Sequence, residues 1–268
     1  MKKINDLENL GKKYRYELLE KALLMKQGHI GSIFSMMDIV VAMYHGGFVR
    51  YNTSNKSFDD KVIISKGHAT SALYPILRDF NLYPKKEWDN WGKEKSTLKI
   101  FGNISIPGID VTSGSLGHGV GVASGIALSF LRRKKENKVF TIISEGELYE
   151  GSTWEALLIA KHYNLNNLTI IIDINSLIIL GKTKECVNLD PIRKKIEGFG
   201  INTYEVDGHN YTELVNVFQK SKELNKLNCI LVKTIKGKGC SMMENKKEWH
   251  YMGYMSEEEI KIAKKELS

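Results

Sequence analysis

Continuous apolar runs alternate with helical patterns along the whole chain. Four runs are too uniformly apolar for half-exposed strands: DKVIIS (60–65), KVFTIIS (138–144), LTIIIDI (168–174) and CILVKTI (229–235). NTYEVD (202–207) gives weaker evidence for a further strand. Such runs, separated by helices, are typical of parallel strands that are covered on both faces. The pattern predicts an α/β fold, with a doubly wound, mainly parallel sheet between two helical layers, and a single domain over residues 1–268.

The amino-terminal region predicts two helices before the first of these strands. Residues 6–27 carry apolar side chains at helical spacing. Ser35 and Asp38 form an S-x-x-D signature that marks a helix start, and MMDIVVAMY (36–44) would continue that helix. No internal repeat, low-complexity tract or proline-rich linker divides the sequence, which favours one folding unit.

Composition indicates a globular protein with a basic surface. Hydrophobic residues make up 42% of the 268 positions and charged residues 26%, which excludes a disordered chain. The formal net charge is +8, but the lysines are scattered and do not alternate with aromatic residues as they do in proteins that track single strands. We therefore expect a solvated lysine-rich surface that attracts small anionic substrates, and no nucleic-acid partner.

Nothing in the sequence predicts a membrane or secretory protein. The amino-terminal helix is charged and has no apolar signal core, and no stretch approaches the roughly 20 apolar residues of a membrane span. Cys186, Cys229 and Cys240 lack C-x-x-C spacing, so we expect reduced, packed thiols without a disulfide or a zinc site. These features predict a cytoplasmic protein.

In a doubly wound sheet, ligands bind beyond the carboxyl ends of the strands. The loops to inspect therefore follow residues 65, 144, 174 and 236. The first of them, SKGHATSALY, contains His68 just before a predicted helix, and His29 lies between two glycines on an earlier loop. A lone histidine is often a capping or packing residue, but its place at a strand end also favours a functional role.

A glycine-rich stretch precedes a long helix of small residues. PGIDVTSGSLGHGVGVASGIALSF has glycines at Gly114, Gly117, Gly119, Gly121 and Gly125. Glycines allow the backbone to approach a ligand, and a helix amino terminus favours anions. The same small residues also permit tight helix packing, so the pattern has two interpretations.

The stretch TIISEGELYEGSTWE (141–155) places a carboxylate directly after a buried strand. Glu145 is well placed to bind a hard divalent cation whose other oxygen ligands come from a diphosphate and from the next strand end. DINSL (173–177) supplies the amide oxygen of Asn175 and the backbone carbonyl of Leu177. One strand-helix-strand unit separates Glu145 from Asn175, so the two are predicted to meet at neighbouring strand tips.

Taken together, these motifs resemble the thiamine diphosphate enzymes, and in particular the amino-terminal half of transketolase. The resemblance covers nearly the whole chain and keeps one order of motifs: GHIGSIFSMMDIV, DKVIISKGHATSALYPIL, PGIDVTSGSLGHG, EGELYEGSTWEALLIAKHYNLNNL, DINSLIILGKT and KTIKGKGCSMMENKKEWHYMG. Several spaced motifs in one order are far more specific than any one of them alone.

The resemblance implies roles for particular residues. His29 and His250 would line the substrate channel and move protons or bind sugar hydroxyls, and His68 would lie near the diphosphate, with His250 also contacting the cofactor. Mg²⁺, or Ca²⁺ or Mn²⁺ in its place, would be bound by Glu145, Asn175 and the Leu177 carbonyl. Other positions assigned to thiamine diphosphate are Gly114, Ser115, Leu116, Ser144, Glu145, Gly146, Glu147 and Asn175. Glu150 and Glu155 would join an acidic network of catalytic carboxylates across a subunit interface.

The chain departs from the family pattern at two places. Similar enzymes begin the metal motif with Gly-Asp-Gly, whereas this chain has Ser144-Glu145-Gly146, whose carboxylate arm is one methylene longer. Mg²⁺ demands near-ideal octahedral distances, so the longer arm would alter its shell. The family often has a histidine where FGNISIPG places Asn103, and an amide cannot act as an acid or a base.

The resemblance implies a split enzyme, because no segment that would bind the aminopyrimidine follows residue 268. A separate carboxyl-terminal subunit would complete an α2β2 heterotetramer that transfers a two-carbon ketol unit between sugar phosphates. One alternative is a catalytically degenerate scaffold or regulatory subunit, motivated by Ser144, Glu145 and Asn103. Another is a related synthase that uses pyruvate. The lysines of KTIKGKG would meet a substrate phosphate or form a simple basic turn.

Overall fold

The computed structural model describes residues 2–268 and contains a parallel sheet. Its strands are β3 (Lys61–Ile64), β4 (Val139–Ser144), β5 (Leu168–Ile174), β6 (Asn202–Asp207) and β7 (Asn228–Lys233), in the order β3-β4-β5-β7-β6. Every adjacent pair in this sheet is parallel. The predicted strands are confirmed to within two residues, and the weakly indicated β6 forms the edge. The short antiparallel pair β1 (Tyr51–Asn52) and β2 (Ser57–Phe58) was not predicted.

Helices cover both faces of the sheet. The α-helices are α1 (Ile4–Met25), α2 (Ile30–His45), α3 (Tyr74–Asp79), α4 (Lys85–Asn90), α5 (Gly119–Arg132), α6 (Gly151–His162), α7 (Thr183–Cys186), α8 (Ile192–Gly198), α9 (Tyr211–Glu223) and α10 (Glu257–Leu267). Short 3₁₀ helices span Gly67–Leu73, Glu145–Tyr149 and Lys247–His250.

Alternate side chains of each strand enter two different cores. On β4, Phe140 and Ile142 pack with α1, α2 and α9, whereas Val139 and Ile143 pack with α5, α6 and α8. Because both faces are buried, a strand must be apolar at nearly every position. This double burial explains the continuous apolar runs and confirms the predicted fold class.

The predicted start of the second helix at Ser35 is wrong. Helix α2 begins at Ile30, and the His29 carbonyl accepts the Ser32 and Ile33 backbone N–H groups, both at 3.0 Å. Ser35 lies inside the helix, where its hydroxyl donates to Asp173 Oδ2 at 2.8 Å. Ser35 therefore does not cap the helix; its hydroxyl binds Asp173 on β5, which lies 138 residues later in the sequence.

The thiols differ partly from expectation. All three lie in the described part of the chain and are free, but only Cys229 and Cys240 are buried, while Cys186 is exposed on α7. The prediction that every thiol is packed is therefore wrong for Cys186, because short α7 lies at the surface. In residues 2–268, no helix combines the length and apolarity needed to cross a bilayer.

Candidate functional site

The parallel sheet gathers several polar segments at one edge. Strands β3, β4, β5 and β7 end at Ile64, Ser144, Ile174 and Lys233, and the loops that follow carry the candidate residues. Glu145 and Asn175 follow the adjacent strands β4 and β5, as the spacing predicted. This carboxyl edge is where open α/β sheets bind ligands.

Three histidines from distant parts of the sequence form a cluster. The ring centroids of His29 and His68 are 5.1 Å apart, those of His29 and His250 5.5 Å, and those of His68 and His250 5.7 Å. Phe101 and Tyr251 lie edge-on to the His29 ring. The structure thus brings together the three histidines that sequence analysis selected separately, and we call them the histidine cluster.

Close backbone approach at the start of α2 assembles this cluster. A Cβ atom at Gly31 would lie 2.7 Å from the Trp249 carbonyl oxygen, so only glycine allows the segment before His250 to pack there. The Gly31 carbonyl accepts the Gly237 N–H at 3.0 Å, and the Gly28 carbonyl accepts the Met252 N–H at 2.6 Å. The glycines flanking His29 therefore dock both the 237 and the 250 segments beside it.

The surroundings of the histidine cluster disfavour protonation of its three imidazole rings. Burial lowers the pKa of His29 and of His250 to about 4, and the charge of Lys236 acts in the same direction. Burial, followed by Lys66, holds the pKa of His68 well below its usual range. At neutral pH the three imidazoles are uncharged, so each can donate one hydrogen bond and accept one.

A buried ion pair lies beneath the cluster. Lys66 Nζ contacts Asp173 Oδ2, and both side chains are fully buried. Asp173 also accepts hydrogen bonds from Ser35 and from Thr234. Burial alone would raise the pKa of Asp173, but Lys66 and these donors hold it below its usual value. The pair therefore ties the ends of β3, β5 and β7 to α2.

Lys236 is close both to the histidine cluster and to the Leu177 carbonyl of the loop after β5. Its side chain is 2% exposed, and Nζ lies 3.4 Å from the Leu177 carbonyl oxygen and 3.5 Å from Ser32 Oγ. Burial and the neighbouring Lys66 lower its pKa to about 8. Within residues 2–268 no carboxylate forms a salt bridge with Lys236, so this cation is available to an anionic ligand.

Glu145 holds the loop after β5 in place through two hydrogen bonds. Its Oε2 accepts the Ser176 N–H at 2.8 Å, and its Oε1 accepts the Thr183 hydroxyl at 2.6 Å. Asn175 Oδ1 accepts the Leu177 N–H at 3.2 Å. These carboxylate, amide and carbonyl oxygens are the donor types that a hard cation prefers, and each retains a free lone pair.

Between residues 2 and 268, no three His, Cys, Asp or Glu side chains, including those of the histidine cluster, are arranged so that they could hold a metal ion. A cation here would therefore depend on amide, carbonyl and ligand oxygens beside the single carboxylate of Glu145. This donor set fits a cation that arrives with a diphosphate. Ser144 and Gly146 flank Glu145 and are both half-buried.

Glu147 lies below the glycine-rich loop. It is fully buried, accepts the Gly117 N–H at 2.8 Å and accepts the Ser65 hydroxyl. Its second oxygen has no hydrogen-bond partner in the described chain, and burial raises its pKa. Glu147 thus links the glycine-rich loop to the end of β3. A Cβ atom at Gly119 would lie 2.2 Å from the Ser65 side chain, which supports the packing interpretation at that glycine.

The remaining predicted residues lie around this edge. Gly114 and Ser115 are exposed and line a cavity of about 330 Å³, and Leu116 beside them is half-buried. Glu150 and Glu155 are exposed at the start of α6, and their carboxylates make no hydrogen bond within residues 2–268. Glu150 and Glu155 are not part of the histidine cluster.

Asn103 Oδ1 accepts the Ser105 N–H at 2.9 Å and so caps its own turn.

Sequence analysis missed the charged residues beneath the site. Lys66 is two positions before His68, Asp173 interrupts an apolar strand, and Lys236 was noted only as one lysine of a basic turn. A charge within a continuously apolar strand is a signal that could have identified Asp173. Its partner could not be found in this way, because it depends on the order of strands in the sheet.

Comparison with known proteins identifies the family of this chain. A family model described as transketolase, thiamine diphosphate binding domain, matches residues 12–268. The chain belongs to the transketolase amino-terminal family. The fold and the resemblance drawn from the motifs are confirmed.

Curated transketolase subunits align with almost the whole chain. An apulose-4-phosphate transketolase subunit from Phocaeicola vulgatus is 33% identical over 99% of this chain and 95% of its own. The 6-deoxy-6-sulfo-D-fructose transketolase subunit SqwG of a Clostridium species is 34% identical, covering 98% of this chain and 96% of its own.

A solved transketolase shares the fold. The enzyme from Campylobacter jejuni superposes with a TM-score of 0.90 at 25% identity, and covers 99% of this chain. The present chain corresponds to 43% of that transketolase. The family and the fold together support a transketolase-type transferase that uses thiamine diphosphate.

The carboxyl edge of this transketolase domain fits such a cofactor. The Nδ1 atoms of His29 and His250 are buried and have no partner among the described residues, and Lys236 supplies an amine nearby. Buried polar atoms without partners are costly, so they indicate a ligand that would satisfy them. Of the oxygen donors predicted to bind the metal, the Leu177 carbonyl lies 3.4 Å from Lys236 Nζ.

Proposed function

We propose that this chain is the amino-terminal subunit of a two-component transketolase and binds the magnesium-diphosphate end of thiamine diphosphate. A separate carboxyl-terminal subunit would bind the aminopyrimidine, and two copies of each would form an α2β2 heterotetramer. The proposal treats residues 1–268 as a single domain. It is supported by the relatives named as transketolase subunits, which match this chain over nearly their full length.

The reaction proposed is transfer of a two-carbon ketol unit from a ketose phosphate to an aldose phosphate. The observation that carries it is the histidine cluster, in which the Nδ1 atoms of His29 and His250 have no partner among the described residues and whose rings lie close enough to the buried Lys66 and Lys236 to feel their charges. When bound, thiamine diphosphate would supply the carbanion chemistry that the reaction requires. The chain's own residues bind, orient and move protons.

Each group has a proposed task. Lys236 and His68 would bind the diphosphate of the cofactor, and Glu145, Asn175 and the Leu177 carbonyl would bind Mg²⁺, Mn²⁺ or Ca²⁺. Uncharged His29 and His250 accept a proton from, or donate one to, a substrate hydroxyl at neutral pH. The buried Lys66–Asp173 pair holds the strand ends in register so that these groups face one space.

The glycine-rich segment has a proposed binding role as well. The backbone of Gly114, Ser115 and Leu116 would face the aminopyrimidine, and Ser144, Gly146 and Glu147 would border the diphosphate. Glu150 and Glu155, which are exposed here, join carboxylates of another subunit in the assembly. The substrates are sugar phosphates, for which the net charge of +8 is favourable.

The proposal is tested by mixing this chain with its candidate carboxyl-terminal partner. Ketol transfer from a ketose phosphate to an aldose is assayed with and without thiamine diphosphate and Mg²⁺. Turnover that needs both chains and the cofactor is the expected result. Cofactor retention without turnover, over a range of sugar donors and with pyruvate as donor, would instead favour a degenerate scaffold. Turnover from pyruvate would favour a synthase.

A further inference from the structure

A cavity of about 510 Å³ lies at the opposite end of the sheet from the histidine cluster. It is bordered by Phe140 near the start of β4 and Thr169 near the start of β5, so we call it the basal cavity. Those two strands run from this cavity to Glu145 and Asn175 at the carboxyl edge. The basal cavity is therefore separate from the proposed cofactor site.

The floor of the basal cavity is apolar and aromatic. Phe48, Phe140 and Phe218 line it, are each at most 6% exposed, and Leu131 closes one side. The rings of Phe48 and Phe218 lie with centroids 5.4 Å apart. A volume of this size lies within the range of roughly 300–1,000 Å³ that is typical of small-molecule sites.

The rim of the basal cavity is positively charged. Four cations line it, Arg50, Lys135, Lys138 and Lys222, against two carboxylates, Asp60 and Glu136. Asp60 is already occupied, because its Oδ1 accepts from Arg50 Nη2 at 2.8 Å and from the Lys138 backbone N–H at 2.7 Å. None of the three lysines forms a salt bridge with another residue between 2 and 268.

Lys138 is separated by one residue from Phe140 of the apolar floor. It is half-buried, and burial lowers its pKa, with Arg50 and Lys222 acting in the same direction and Asp60 opposing them. A nearby anion would stabilise the charged ammonium group of Lys138, which burial disfavours.

We propose that the basal cavity binds a small amphiphilic anion, with an aromatic or branched apolar body and a single carboxylate, sulfonate or phosphate group. The body packs on Phe48, Phe140 and Phe218, and the anionic group pairs with Lys138 and Lys222. This assignment does not depend on the proposed transketolase activity.

The test uses the fluorescent probe 8-anilinonaphthalene-1-sulfonate, which combines an aromatic body with a sulfonate. Titration of the full chain is expected to give saturable binding of one equivalent. The double variant K138M/K222M removes two charges and keeps similar volume, so it is expected to weaken binding about tenfold or more. The matched control is Lys194→Met, an exposed lysine on α8 outside the cavity, which is expected to leave affinity unchanged.

Three further measurements separate the basal cavity from other sites. The uncharged analogue N-phenyl-1-naphthylamine is expected to bind more weakly and with equal affinity to the wild type and K138M/K222M. Inorganic diphosphate, which would compete at the carboxyl edge, is expected not to displace the sulfonate probe. Ser221→Phe, which fills the cavity from α9, is expected to abolish the saturable signal.

Near-ultraviolet circular dichroism establishes that each variant retains native packing. Saturable binding that is equal in K138M/K222M and Lys194→Met would overturn the proposal. Displacement by inorganic diphosphate that is equally effective in the wild type and in K138M/K222M would overturn it as well, because the probe would then occupy the cofactor edge.

Discussion

His209 connects Asp38 to the backbone of Ile235. Its Nδ1 lies 2.7 Å from Asp38 Oδ2, and its Nε2 lies 2.8 Å from the Ile235 nitrogen. Since Nε2 accepts a backbone N–H, the ring proton is on Nδ1 and points to the carboxylate. The contact fixes the backbone one residue before Lys236, so a histidine outside the site positions a cation inside it.

Replacement of His209 by alanine is expected to weaken cofactor binding while the chain stays folded. The Ile235 N–H would lose its acceptor, at a cost of about 1–3 kcal/mol, and the segment that carries Lys236 would move. We expect thiamine diphosphate to bind the assembled complex about tenfold more weakly by calorimetry. Tyr211→Phe is the control, because Tyr211 donates to the same Asp38 at 2.8 Å but does not touch Ile235. Equal losses in both variants would show that only the Asp38 network matters.

The pair of Arg15 and Asp38 stabilises α1 against α2. Arg15 Nη1 and Nη2 donate to the two Asp38 oxygens at 2.8 and 2.7 Å, and the two side chains are 6% and 5% exposed. Removal of one member leaves a buried charge unpaired, so Asp38→Ala or Arg15→Met should each cost about 3–5 kcal/mol of unfolding free energy. Urea unfolding measures this. The double variant should lose less than the sum of the single losses, whereas simple additivity would show that the charges do not couple.

Lys236→Met should separate ligand binding from stability. The amine is buried near Lys66 without a salt-bridge partner in residues 2–268, so its removal relieves repulsion and should not lower Tm. Binding of inorganic diphosphate should fall about tenfold or more, because a charge-assisted contact contributes roughly 1.5–3 kcal/mol. The matched control is Lys238→Met, a half-buried lysine that pairs with Glu244 at 3.6 Å. Unchanged diphosphate binding in Lys236→Met would place the ligand elsewhere.

Glu145→Asp tests how the longer arm of this chain is used. The shorter carboxylate cannot reach both Ser176 N–H and Thr183 Oγ1, so the loop after β5 should lose about 1–2 kcal/mol of local stability. Hydrogen exchange at Ser176 measures that loss. The freed carboxylate should bind Mg²⁺ more tightly when thiamine diphosphate is present, which a metal titration of cofactor binding measures. If Mg²⁺ dependence is the same in both forms, Glu145 acts only as an anchor of the loop.

The sequence predicted the sheet well and the site only in part, for physical reasons. The strands were visible because burial on both faces makes them continuously apolar, as at Val139 and Ile143. The start of α2 was misplaced because the hydroxyl of Ser35 binds Asp173 on a distant strand. Local sequence carries no information about such a contact. Likewise, His29, His68 and His250 were recognisable one by one through family motifs, but the buried Lys66–Asp173 pair depends on strand order.

The uncharged state of the histidine cluster predicts how stability depends on pH. Folding lowers the pKa of His29 and His250 to about 4 from the ordinary value of 6.5, and His45 near α3 behaves in the same way, in each case because of burial. Below pH 6.5 the unfolded chain therefore binds more protons than the folded chain. The contribution of these histidines to stability should be fully present above pH 6.5 and should be lost as pH decreases towards 4.

Urea unfolding between pH 4.5 and 7.5 measures this slope. Lowered carboxylate pKa values, as at Asp38 and Asp173, act below this window and so do not produce it. The variant H29N/H250N removes two of the titrating rings, so its stability should depend less steeply on pH between 4.5 and 6.5. It should keep the part of the slope that is due to His45 and His68. Identical slopes in the wild type and the variant would mean that both rings accept protons in the folded protein, and their neutral role in proton transfer would then have to be abandoned.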